Sequence, residues 1–279
     1  MYEHEISDWA ALSALCERFA IGNWIFRGVT DGTHQLVPAI GRPGARRSLE
    51  GVDLPYNASE ATELLKQFKL RARALAPIAH DADDLEWLAL GRHHGLPTPF
   101  LDWTTSVFTA AFFACQTGGV VGQSQKRPAI YAVTRPPLVE KAREAYGADE
   151  PVAYHPPHIS PRITAQNGLL TFHQNPTEPW QPAELCKYWI TSKAAIQIRV
   201  ALVQAGINES SLMPGLDGIA AHLGWLYKRE FLSQISMRED GGGAFAYTGY
   251  NARGGRHYEV RLTSTVATAA ALVAEHKTQ

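Results

Sequence analysis

The chain has 279 residues, 45% of them hydrophobic and 19% charged, with a net charge of −1. It is long and apolar enough to bury a sizeable core, which excludes a disordered polar chain. The near-zero charge excludes an overall basic field, so any nucleic-acid contact must come from a local patch.

Trp9, Leu12, Leu15, Cys16 and Phe19 recur at helical spacing and predict an amphipathic helix over residues 7–20, closed by Gly22. Residues 23–26 predict a short buried strand that delivers Arg27 and Gly28 at its end. A charge beside a buried strand must be paired or must meet an anionic ligand. Glycine would let such a ligand approach the backbone. Arg27 and Gly28 are therefore candidate ligand contacts, with a structural ion pair as the alternative for Arg27. Residues 30–56 read as a long loop carrying Arg42, Arg46 and Arg47, and a loop of that length is usually functional or mobile. Asn57 and Glu60 stand at capping-box spacing before a helix reaching residue 76. On it Lys66, Lys69 and Arg73 form one basic face opposite Leu64, Leu65, Phe68 and Leu75. With the three loop arginines this face is the candidate nucleic-acid surface, and a solvated charged face is the commoner explanation.

The stretch 86–115 organises the rest. Asp83 and Glu86 predict a capping box, and Leu85, Trp87, Leu88 and Ala89 an apolar helix face. Gly95 stops that helix and Pro97 prevents its continuation. Residues 100–103 are expected to be extended, and Thr104 to cap a second helix bearing Val107, Phe108, Ala111, Phe112 and Cys115. His93, His94, Asp102 and Thr104 then fall in loops between two buried helices, where catalytic groups tend to sit. The alternatives are plain: Asp102 and Thr104 as helix caps, and the histidines at a helix C-terminus.

Further strands are expected over residues 129–134, 187–190 and 256–262, with helices over 138–146, 193–204 and 216–227. A polar block around Arg162, Gln166 and Gly168 leads into an apolar strand ending near His173. His155 and His158 lack a third ligand at usable spacing, so no metal is expected. Strands mixed with helices without βαβα regularity imply an α+β fold, a single mixed domain with a small sheet core and helices around it. That domain is expected over residues 1–240, with a glycine-hinged strand and tail over 241–279 packed on it. No GxGxxG or Walker A loop is present. Cys16, Cys115 and Cys186 offer neither a disulfide framework nor a CxxC pattern. The N-terminal Glu3, Glu5 and Asp8 do not read as a signal peptide, and no run reaches the roughly 18 apolar residues of a membrane span. The expectation is a soluble, cytoplasmic protein without membrane partners.

Phe26-Arg27-Gly28, the run from His93 to Thr98, and Leu101-Asp102-Trp103-Thr104 together resemble the FRG domain family. The block around Arg162, Gln166 and Gly168 and the run from Leu212 to Gly218 are similar to its later blocks, so the resemblance covers roughly residues 24–224. Arg92 stands where the family commonly has Gln, His94 where Tyr is common, and Pro99 where a basic residue often follows the threonine. The resemblance implies a bacterial toxin or phage-defence setting and, with it, an antitoxin or chaperone partner. A strand ending in aromatic-Arg-Gly also resembles the first motif of the Arg-Ser-Glu class of ADP-ribosyltransferases, in which the arginine grips NAD. Thr104-Thr105-Ser106 is similar to that class's Ser-Thr-Ser element, and Gln166 or Glu259 stands for its third, carboxylate element.

Two chemistries follow. ADP-ribosyl transfer from NAD needs a cation on the pyrophosphate, groups that fix the ribose, and a base for the incoming nucleophile. Arg27 with Gly28 fits the first need and Thr104 or Gln166 the second. His93 or Asp102 fits the third, with a nucleic acid or protein as acceptor. The alternative is a metal-independent nuclease with His93 and His173 as the acid–base pair, or a binding module without catalysis.

Overall fold

The computed structural model of the protein describes residues 2–76, 78–79, 81–116, 127–157 and 161–228, and the backbone of three later strands. The chain divides into two compact units, Met1–Pro214 and Gly215–Gln279. The glycine run at 241–243 lies outside the described residues.

The first unit begins with β1 (Tyr2–Ile6), α1 (Trp9–Arg18) and β2 (Trp24–Val29). After the long loop come α2 (Ala58–Ala72), α3 (Asp84–His93), β3 (Phe100–Thr104) and α4 (Val107–Ala114). Next are β4 (Ala129–Thr134), α5 (Ala142–Tyr146), β5 (Val152–Tyr154), α6 (Pro161–Ala165) and β6 (Gly168–Phe172). The unit closes with β7 (Cys186–Ile190), α7 (Ser192–Gln204) and α8 (Glu209–Leu212). The second unit holds α9 (Leu216–Lys228) and an antiparallel sheet of β8 (Ile235–Met237), β9 (Phe245–Gly249) and β10 (Tyr258–Arg261).

An α+β architecture results, built on a seven-stranded sheet in the order β1-β7-β4-β2-β3-β6-β5. Only β1 runs parallel to its neighbour β7; the other pairs are antiparallel. The helices cover one face in two groups. Phe26, Ile130 and Ile190 bury against Leu12 of α1, Ala110 and Ala111 of α4 and Ile198 of α7. Phe100, Leu170 and Tyr154 bury against Leu65 of α2 and Leu85 and Leu88 of α3. The register puts Phe26 opposite Thr104, two pleats before which lies Phe100, so both groups share that face. Ile25, Leu101, Trp103 and Tyr131 point to the other face, which Leu36 and Leu185 close from loops.

The sheet is not uniformly zipped. β2 pairs with β4 along its whole length and β3 with β6 along its whole length, but β2 and β3 meet only at Phe26 and Thr104. Beyond that pair, on the Gly28 and Asp102 side, the two strands part. This split positions the site described below.

Local chemistry accounts for most boundaries. Asp83 and Glu86 form the expected capping box of α3, and Gly95 takes φ +87 just past its end. The expected cap of α4 moves: Ser106 Oγ accepts from Thr109 N (3.2 Å), while Thr104 stays in the β3 ladder opposite Gly168. Asp102 and Thr104 therefore lie on a strand rather than in a loop. Arg27 and Gly28 likewise lie inside β2, not at its end, because the β4 ladder continues to Val29. Helix α2 stops at Ala72, short of residue 76. Among the described residues, no helix is long and apolar enough to cross a membrane.

Candidate functional site

A cleft of about 370 Å³ opens in the split between β2 and β3. Arg27, Gly28, Arg42, Asp102, Thr104 and Gln166 all line it. The sequence reading had distributed these six among three roles; the fold brings them together.

Arg27 bridges the split. Its Nη1 donates to the Asp102 carbonyl at 2.7 Å and lies 3.4 Å from Asp102 Oδ2. The side chain thus takes the place of a ladder bond that the separated strands cannot make. The other arm on Asp102 is Arg92, from the last turn of α3. Its Nε donates to Oδ1 and Oδ2 at 3.1 and 3.2 Å, and its Nη2 reaches Oδ2 at 2.5 Å. Arg42, whose Nε donates to the Val37 carbonyl at 2.9 Å, completes the cluster. Asp102 is the only acidic side chain among the described lining residues. Two guanidinium groups therefore bond one carboxylate, and a third, that of Arg42, lies in the same cleft.

The titration behaviour follows from that imbalance. Burial, together with the charges of Arg92 and Arg42, holds Arg27 below its ordinary pKa against the pull of Asp102. Burial and Arg92 do the same to Arg42. Burial alone would raise the pKa of Asp102, but its bonds to Arg92 and the charges of Arg92 and Arg27 outweigh that and hold it below the usual carboxylate value. Asp102 raises Arg92 above its ordinary pKa, so Arg27 and Arg42 are the cations held down in the concave site, where an anion would be accommodated.

Asp102 was expected to serve as a base. Both its oxygens are instead occupied by guanidinium groups, and a carboxyl held below its usual pKa is a weak proton acceptor. His93 is not among the residues lining this cleft. Burial, then His94 and Arg162, lower its pKa, so it is neutral at pH 7.

Three other residues of the cleft also make structural contacts. Gly28 was expected to admit a ligand, yet α4 lies so close that an added Cβ would sit 1.8 Å from the Ala110 carbonyl oxygen. Its missing side chain admits a helix. Thr104 Oγ1 donates to the Gln166 carbonyl (2.7 Å) and accepts from Ser106 N (3.0 Å), so its proton is already committed. Gln166 Nε2 donates to the Leu212 carbonyl at 2.9 Å and fastens the end of α8. Glu259 has its backbone on β10 opposite Thr248, and its side chain lies outside the described residues.

The expected basic surface divides. Arg42 belongs to the cleft. Arg46 pairs with Glu60, Arg47 with Asp53 at 2.8 Å, Lys66 with Glu63 at 3.6 Å, and Lys69 with Asp84. Arg73 lies over the Trp87 ring. Lys66, Lys69 and Arg73 still line one shallow concavity on α2.

Arg92 is the residue that sequence reasoning missed. Its neighbours His93 and His94 drew attention, and nothing in the local sequence says that a strand ten residues on brings Asp102 against the last turn of α3.

Residues 22–119 match the model of the FRG domain family. The chain carries an FRG domain. No curated protein and no solved structure matches the chain. The matched FRG segment runs from just before β2 past the end of α4, so it contains Arg27, Arg42, Arg92 and Asp102 together. The charged cluster of the cleft is built wholly from the FRG domain.

Proposed function

We propose that the cleft binds the pyrophosphate of NAD and that the protein is an ADP-ribosyltransferase. The observation that supports this reading is the excess of positive charge around Asp102, which Arg27 and Arg92 bond while Arg42 lines the same cleft as Arg27. Guanidinium groups bind phosphate oxygens in bidentate fashion, and a site short of negative charge favours a dianion over a monoanion. The aromatic-Arg-Gly element at Phe26-Arg27-Gly28 adds the likeness to transferases whose arginine grips NAD.

In this reading the bond between the ribose carbon and nicotinamide breaks with its electron pair leaving on nicotinamide. An acceptor oxygen or nitrogen attacks the same carbon and gives its proton to a base. Asp102 fixes the guanidinium groups and takes no proton. Neutral His93 is the proposed base. The acceptor is a nucleic acid held by Lys66, Lys69 and Arg73, and the setting is a toxin or phage-defence effector.

The nuclease alternative is weakened by His173. It is 2% exposed, and burial, with Arg27 adding to it, pushes its pKa down to about 4. A neutral buried imidazole cannot serve as the acid at pH 7.

The deciding experiment incubates the full chain with NAD labelled in the adenosine half, alone and with RNA, DNA or protein acceptors. Nicotinamide release and transfer of label support the proposal. Saturable NAD binding with no release over hours reduces it to a nucleotide-binding module. Absence of binding overturns it.

A further inference from the structure

Arg27 and Arg92 both reach Asp102, but they do not divide it equally. The short bond of Arg27, at 2.7 Å, goes to the Asp102 carbonyl, a neutral group. Its contact with the carboxylate is 3.4 Å, at the limit of a hydrogen bond. Arg92 takes the carboxylate itself. Its Nε donates to the two oxygens at 3.1 and 3.2 Å, and its Nη2 donates to Oδ2 at 2.5 Å. A guanidinium fork on a carboxylate is among the strong charge-assisted contacts. The titration directions agree with this geometry. Burial would lower Arg92, yet its bonds to Asp102 raise it above its ordinary pKa, whereas burial leaves Arg27 below its own. The negative charge of Asp102 is therefore given over mainly to Arg92.

Arg92 does this from outside the site: Arg27 lines the cleft and Arg92 does not. Its place in the last turn of α3 is well fixed. Leu96 N donates to the Gly91 carbonyl at 2.8 Å across Gly95, which takes φ +87. An added Cβ at Gly91 would sit 2.7 Å from Leu96 Cδ2, so this turn is closed tightly against the chain that follows it. Without Arg92, the nearest charged partner of the carboxylate would be Arg27 Nη1, already 3.4 Å from Oδ2. A small turn of the carboxylate would then make a full ion pair with Arg27.

We propose that Arg92 is a positioning residue of the anion site: by holding the Asp102 carboxylate it keeps the charge of Arg27 available to a phosphate-bearing ligand that Arg92 itself does not touch. The inference rests on the reading that the cleft takes a pyrophosphate. It differs from the plain attraction of one more cation. Such an attraction acts whether or not residue 102 is charged, whereas the holding role exists only while residue 102 carries a carboxylate.

A double-mutant cycle on the full chain separates the two, with inorganic pyrophosphate as the probe in calorimetric titration. Arg92→Gln, which keeps a donor but no charge, should weaken pyrophosphate binding about tenfold, because Asp102 then pairs with Arg27. Asp102→Asn keeps the carbonyl that bonds Arg27 and should still bind pyrophosphate. In that background Arg92→Gln should change affinity by less than about threefold. Should Arg92→Gln not fold, Arg92→Lys replaces it in the cycle, because a point charge lacks the fork that grips both oxygens. Equal losses in the two backgrounds, or no loss in either, would overturn the proposal and leave the pyrophosphate site standing. Loss of binding in Asp102→Asn alone would also overturn it, since the carboxylate would then support Arg27 instead of competing with the ligand. A parent protein that binds no pyrophosphate at low salt would overturn the site and the proposal together.

Discussion

Two arginines of this molecule sit in opposite electrostatic situations. Arg199 of α7 is fully buried, pairs with Glu209 of α8 and lies 4.2 Å over the Phe112 ring. Arg27 of β2 shares its one carboxylate with Arg92 and has Arg42 beside it. Arg199 has a carboxylate to itself in its ion pair, whereas Asp102 is divided between two guanidinium groups with a third in the same cleft. A balanced buried pair ties two helices together and offers a ligand nothing. An unbalanced cluster in an open cleft does the reverse, because its surplus is met only when an anion arrives.

That contrast breaks most visibly on stability. Arg199→Ala removes the guanidinium paired with buried Glu209 and should cost about 3–5 kcal/mol of unfolding free energy. Urea denaturation reads it directly, and ligand affinity of the folded variant should be unchanged. A loss under 1 kcal/mol would mean that the buried pair is less committed than its geometry implies.

Arg27→Ala should show the opposite signature. A charge-assisted bond to phosphate contributes about 1.5–3 kcal/mol, so NAD affinity should fall roughly ten- to a hundredfold. The free protein should lose less stability than with Arg199→Ala, since Arg92 remains on Asp102. Arg27→Lys should not restore binding fully, because a point charge lacks the bidentate fork.

Acid titration sharpens the same comparison. Asp102 has a folded pKa below its ordinary value, so its contribution is present above the unfolded pKa of about 3.9 and is lost as pH falls through the lower folded value. Asp102→Asn should remove that component from the acid limb of the stability curve. An unchanged limb would mean that the arginines do not hold the carboxylate in solution.

The smallest effect belongs to α2. Its lysines are paired with Glu63 and Asp84, and exposed pairs of this kind contribute about 0–1 kcal/mol. Reversing Lys66 and Arg73 should leave NAD binding intact and lower the salt slope of RNA binding by about one unit per lost phosphate contact. An unchanged slope would return this face to ordinary solvated surface.

The sequence was legible where signals are local. The capping box of α3, the Gly95 stop, helix α7 and most of the strands follow from spacing, caps and period. The FRG motifs were legible too, as was the strand that carries Arg27. What could not be read was created by pairing between distant segments. The β2/β3 split depends on which strands sit side by side, and it makes Asp102 the partner of Arg27 and Arg92 instead of His93. Gly28 looked like a ligand approach because the sequence does not reveal that α4 crosses it. Strand β1 escaped notice because Tyr2–Ile6, with its Glu3 and Glu5, gains its strand state from pairing with β7, 180-odd residues away.

The most direct test of the unbalanced cluster is calorimetric titration of NAD into the full chain, with and without inorganic pyrophosphate. Saturable one-to-one binding, competed by pyrophosphate and weakened by raised salt, is expected from the excess of positive charge at Arg27, Arg42 and Arg92. Folded protein that binds neither NAD nor pyrophosphate at low salt would contradict it.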